Sequence, residues 1–116
     1  HILRLLLNQL KWSSMIKITI KKNDNFIEEI RIHGHAKYDE YGKDIVCAGV
    51  SSALITTFNA CLIFDNESLE YNEKNNFYLK NIKQDEITNK LLENLVNVFK
   101  SIESKYKEYI IVKEEH

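Results

Sequence analysis

Ile16, Ile18 and Ile20 alternate with Lys17, Thr19 and Lys21, and this period of two restricts the fold more than any other feature of the chain. Successive side chains of a strand point to opposite faces, so the pattern predicts a strand with one apolar and one polar face. Asn23-Asp24-Asn25 follows; Asx side chains bond their own backbone and tolerate left-handed geometry, which makes this a turn. From Phe26 to about His33, Ile30 and Ile32 again alternate with charged residues. The two segments read as a hairpin whose apolar face needs a cover.

Helices supply that cover. Residues 36–43 are polar, contain Gly42 and show neither period, so they read as a loop. Asp44 then stands directly before Ile45-Val46-Cys47-Ala48, a good N-cap position for a helix continuing to about Phe64. Val46, Ala48, Val50, Ala53, Leu54, Phe58, Ala60 and Leu62 occupy more than one face of it, as expected of an element packed against a sheet and against another chain. Leu69 to Asn72 and Phe77 to Ile82 read as strands around a polar turn, and Asp85-Glu86 open an amphipathic helix with Ile87, Leu91, Leu95, Val98, Ile102 and Tyr106 at helical spacing. Tyr109 to Val112 forms a last strand. The order ββαββαβ lacks regular β-α-β alternation, so the fold class is α+β: a single domain, a mainly antiparallel sheet, and two helices packed on one face.

A chain of 116 residues supports one core. No stretch approaches the roughly 18 consecutive apolar residues of a membrane span, so no membrane partner is expected. Sixteen basic and 17 acidic residues leave a net charge of -1, which argues against the broad basic field of a nucleic-acid-binding protein. The two cysteines, Cys47 and Cys61, lie on the same expected helix about 21 Å apart by its rise, too far to bridge. Unpaired cysteines and no recognisable secretion signal point to the cytoplasm. Residues 1–14 precede Met15, which reads as the natural start; they are expected to be a vector remnant or an over-long gene start, with residues 15–116 as the domain.

His35 and Cys47 bound the polar loop, and a Cys-His pair is the minimum equipment for thiol nucleophilic catalysis. With Asp44 as N-cap, Cys47 falls at about the third helical position, where unpaired amides and the helix dipole favour a thiolate. His35 is placed to supply an imidazolium and then protonate a leaving amine. Asp44 either caps the helix or orients His35, and Ser51, one turn after Cys47, can bond the thiolate or a substrate carbonyl. Tyr38, Tyr41 and the pivot Gly42 make the loop a candidate lid over an extended peptide, mobile in the free enzyme.

Each residue also has an ordinary role: a buried small side chain for Cys47, a strand-end hydrogen bonder for His35, a cap for Asp44, packing for Ser51, loop anchors for the tyrosines, core for Cys61. Two rival functions use the same region. His33 and His35 share a strand face that Cys47 could join as metal ligands, though no CxxC or HxxxH spacing supports zinc. A non-catalytic ribosome-assembly or RNA-binding module would use Lys17, Lys21 and Lys22.

The run Gly34-His35-Ala36, Glu40-Tyr41-Gly42, Asp44-Ile45-Val46-Cys47-Ala48 and Ser51 resembles the signature of the Prp family, the bacterial ribosomal-processing cysteine proteases. The order of elements from Met15 onward is similar too; Lys37 to Asp39 depart at positions where that family varies. The resemblance implies that Cys47 is the nucleophile and His35 the general acid/base of a thiol peptidase. It also implies a cytoplasmic homodimer without cofactor, acting on a large-subunit ribosomal protein precursor by removing a short N-terminal extension. Asp44 and Ser51 match positions near the site.

Overall fold

The computed structural model describes residues 15–34, 41–72 and 77–116, with backbone alone for 41–44. The elements are β1 (Ile16–Asn23), β2 (Phe26–His33), α1 (Tyr41–Phe64), β3 (Leu69–Asn72), β4 (Phe77–Asn81), α2 (Glu86–Lys105) and β5 (Ile110–Glu115), in the expected order ββαββαβ. They form one sheet with strand order β3-β4-β2-β1-β5. Three pairings are antiparallel and β1 with β5 is parallel, so the sheet is mixed. The parallel last strand follows from the α2 crossover, which carries the chain from β4 past β2 and β1 to the far side of β1, so that β5 runs in the same direction as β1 and β4.

The alternation in the sequence becomes the two faces of this sheet. Ile16, Ile18, Ile20, Ile27, Ile30, Ile32, Leu79 and Ile110 are buried on one face, under Val46, Val50 and Leu54 of α1 and Leu92, Leu95, Val96 and Phe99 of α2. The open face carries a cross-strand row of Glu70, Lys80, Glu29, Lys21 and Glu115, alternating in sign across all five strands. Opposite charges on neighbouring strands attract, and slipping any strand by one residue would bury them, so the row helps to specify register. Arg31 joins it by bonding Glu29 at 2.9 Å and lying over the Tyr78 ring. Burial pushes the Glu29 carboxyl up, but hydrogen bonds from Arg31 and Tyr78 outweigh it and hold the group below its ordinary value.

Helix α2 follows its sequence pattern in part. Leu95 is buried and Leu91, Ile102 and Tyr106 pack against the core as their spacing expects, but the helix is turned so that Thr88, Asn89, Leu92, Val96 and Phe99 are buried too, whereas Ile87 and Val98 are exposed. The reason is polar. A bulge between Lys21 and Lys22 disturbs the hairpin register where Ile27 lies, and β4 pairs with β2 only from Glu29 onward. Asn89 Oδ1 accepts from the Ile27 N–H at 2.8 Å, and Asn81 Nδ2 donates to the Ile27 carbonyl at 3.0 Å. Leaving those buried groups unpaired would cost about 1–3 kcal/mol each, enough to choose the helix rotation that brings Asn89 inward. Asp85 caps α2, its carboxylate accepting from the Thr88 N–H at 2.7 Å.

Helix α1 begins at Tyr41, earlier than expected. Asp44 is therefore in its first turn and not its N-cap, and Tyr41, Gly42 and Lys43 are helical, not loop. A single turn of polar residues carries no apolar period to betray it, and an acid suits the positive end of the dipole as well as it suits a cap. The stretch Ile45–Phe64 has mean hydropathy 1.7 and is 22% buried. It holds no charged residue and is long and apolar enough to cross a membrane by length and composition, which counting consecutive apolar residues overlooked. Here it lies on the sheet through Val46, Val50, Leu54 and Cys61.

Candidate active site

The site forms where β2 ends and α1 begins. Gly34 follows β2 with φ +82, and a Cβ there would run into the Met15 carbonyl oxygen. Only glycine takes this backbone geometry without strain. It closes β2 immediately before His35 in the sequence. His35 and Tyr38 lie outside the described residues, as does the 36–40 part of the expected mobile lid; Tyr41, Gly42 and Asp44 belong to the first turn of α1.

Cys47 is a half-buried free thiol. Together with Ser51, Val50, Ile16 and Ile32 it lines a cavity of about 20 Å³, room for roughly one water molecule. The expected pairing of Cys47 and Ser51 on one helix face is therefore found, with Ser51 itself exposed. The expected third helical position for Cys47 is not. Cys47 is the seventh residue of α1, beyond the four amides that a helix leaves unpaired, and dipole effects fade after the first turn.

His33 ends β2 opposite Lys17 on the open face of the sheet, whereas Cys47 packs beside Ile32 on the covered face. One residue of strand separates the two directions, so His33 and Cys47 do not converge. Among the described residues no group of three His, Cys, Asp or Glu side chains could hold a metal. The lysines invoked for RNA binding are interrupted by acids: Lys21 lies between Glu29 and Glu115, and Lys22 pairs with Glu114 at 3.3 Å.

Cys61 is fully buried on the same helix, and burial, helped by the Asp85 charge, pushes its thiol up to about 11. Below pH 9, the ordinary value, the thiol is neutral in both folded and unfolded chains. As pH rises from 9 towards 11 the unfolded chain loses this proton first, so the contribution of Cys61 to stability is lost over that window. A thiol-reactive disulfide at pH 8 is expected to modify Cys47 in the native protein and Cys61 only after denaturant is added. Two thiols reacting at one rate before unfolding would contradict the buried position of Cys61.

A cluster of three aromatic rings beside the site had no signal in the sequence, because its members come from three separate elements. Phe58 of α1 meets Tyr71 of β3 edge-on at 4.8 Å between centroids, and Tyr71 stacks on Phe77 of β4 at 6.4 Å. Phe77 is the register partner of Ile32, which lines the Cys47 cavity.

Residues 15–111 match the family model described as cysteine protease Prp. A ribosomal processing cysteine protease Prp of Staphylococcus aureus is 31% identical over 101 residues, covering 83% of this chain and 95% of the relative. That of Bacillus subtilis is 38% identical over 50 residues, covering 42% of this chain and 45% of the relative. Among solved structures, the essential ribosomal processing protease Prp of S. aureus in complex with a substrate peptide superposes with a TM-score of 0.80 at 27% identity, covering 87% of this chain and 100% of that one. The same protease with a covalently linked product peptide gives 0.77 at 28% identity, with the same coverage. SMU.848 of Streptococcus mutans gives 0.75 at 27%, covering 89% and 96%.

Proposed function

This chain belongs to the Prp family of cysteine proteases, and from that premise we propose that it removes a short N-terminal extension from a large-subunit ribosomal protein precursor. Cys47 is the nucleophile and His35 the general acid/base. The thiolate sulfur attacks the scissile carbonyl carbon; as the C–N bond breaks, the His35 imidazolium gives its proton to the departing amine, leaving a thioester. Neutral His35 then takes a proton from water as the hydroxide attacks the thioester carbon, and the C–S bond breaks to release the acid and restore the Cys47 thiolate beside the imidazolium. Ser51, which lines the same cavity as Cys47, bonds the substrate carbonyl or the sulfur. Asp44 orients His35, and Tyr38, Tyr41 and Gly42 hold the peptide. The mechanism asks for no cofactor.

The observation that best supports this reading is the half-buried, unpaired thiol lining an open cavity at the very position of the family motif's cysteine. The protein works in the cytoplasm, consistent with two free thiols, and as a homodimer. A partner copy would cover the side of α1 where Ile63 and Phe64 stand exposed.

Acid quenching during turnover tests the chemistry. With a synthetic peptide spanning the extension and mature start, mass spectrometry should find one cut and a transient acyl adduct on the tryptic fragment carrying Cys47. A cut at that bond with the adduct on another residue, or with Cys47 blocked throughout, would overturn the assignment.

A further inference from the structure

Cys47 and Ser51, which line one cavity, continue along the helix as an apolar stripe. At 100° per residue, Cys47, Ser51, Ile55 and Phe58 fall within about 80° of the α1 surface and make one continuous stripe. This stripe faces away from α2, which meets α1 where Gly49 approaches Ile102. Its near end is the cavity; its far end is the aromatic cluster, where Phe58 carries Tyr71. Ile55 is 58% exposed and Tyr71 50% exposed, two large apolar side chains on a surface continuous with the nucleophile. From Cys47 to Phe58 the helix rises about 16 Å, which an extended peptide covers in about five residues.

We propose that this strip is a substrate subsite, in which Ile55 and Tyr71 select a large apolar side chain about five residues from the scissile bond. The inference rests on the endopeptidase reading and adds where its specificity lies. Tyr71 suits the role because it is held from two sides, edge-on by Phe58 and face-on by Phe77, while half of it remains open. A rigid, partly exposed ring offers contact area at little entropic cost. The strip carries no charged side chain, so it rejects a charged residue at that distance by desolvation and discriminates weakly among apolar ones.

The test is binding, read apart from cleavage. In the Cys47→Ala chain, fluorescence anisotropy compares a labelled synthetic peptide of the cleavage region with one in which the apolar residues about five positions from the scissile bond are serine. The apolar peptide should bind about tenfold or more tightly. Tyr71→Ala should erase that preference, Tyr71→Phe should keep it, and Ile55→Ser should reduce it, which guards against a Tyr71→Ala chain that fails to fold. In otherwise wild-type enzyme Tyr71→Ala should raise KM with little change in kcat. A preference unchanged within twofold in Tyr71→Ala and Ile55→Ser would overturn the proposal while leaving the peptidase standing. So would halving of the mass in sedimentation with peptide preference intact, since the strip would then be an interface between two copies. Absence of cleavage by wild type, with the Tyr71-dependent preference present, would count against the peptidase reading and not against the strip.

Discussion

Cys47→Ala should reduce cleavage of the precursor peptide to background, and His35→Ala should lower kcat by about a thousandfold or more. The second expectation is the sharper one, because the histidine has two duties. As acid and then as base, His35 serves both halves of the acyl transfer, giving a proton to the departing amine and taking one from the attacking water. Both variants should keep the wild-type circular dichroism spectrum and melting midpoint. Added imidazole should restore part of the activity of His35→Ala and none of Cys47→Ala, a readout that a structural role for His35 would not produce. His35→Ala enzyme with more than a tenth of wild-type kcat would place the proton transfer elsewhere.

Gly34→Ala should destabilise the domain by about 2–4 kcal/mol. Two costs add. An L side chain at φ +82 is strained by itself, and its Cβ would meet the carbonyl oxygen of Met15, backbone at the entry to β1. Backbone held in the ladder cannot give way as a side-chain tip can: Ile16 donates its N–H to the Tyr109 carbonyl at 2.9 Å and pairs with Ile110 of β5. Relief would require β1 to leave its neighbours or Gly34 to leave its turn. The second would also redirect the chain at His35, so activity should fall further than stability alone accounts for. Urea unfolding followed by tyrosine fluorescence and circular dichroism measures the first effect; a midpoint equal to wild type would show that the turn relaxes freely. By contrast Gly49, where an added Cβ would only touch the tip of Ile102, has room for alanine.

Both predictions draw on features of unequal visibility. The hairpin was legible because alternation in Ile16 to Ile20 and Ile30 to Ile32 has one physical cause, a sheet with one dry face. The start of α1 was not, since Tyr41 to Asp44 is polar and a first-turn acid looks like a cap. The face of α2 was legible only in part, at Leu91, Leu95, Ile102 and Tyr106: hydrophobic spacing ranks Ile87 and Val98 above Asn89, yet the Ile27 N–H needs the Asn89 amide. A hydrogen bond between residues so far apart in the chain leaves no local pattern. The Cys47 and Ser51 pairing was legible, being a matter of helical turn alone, whereas the Phe58, Tyr71 and Phe77 rings were not, since strand pairing and helix crossing bring them together.

Local periodicity and one dense motif therefore determined the class of fold, the order of its elements, the family and the residues to suspect. Tertiary structure decided what depends on distant partners. It set the parallel placement of β5, the rotation of α2, the separation of His33 from Cys47 onto opposite faces, and the surface that leads away from the thiol. The division has one physical origin: a side chain's period reports which way it faces, while its partner is chosen by packing and by buried polar groups that must find a bond.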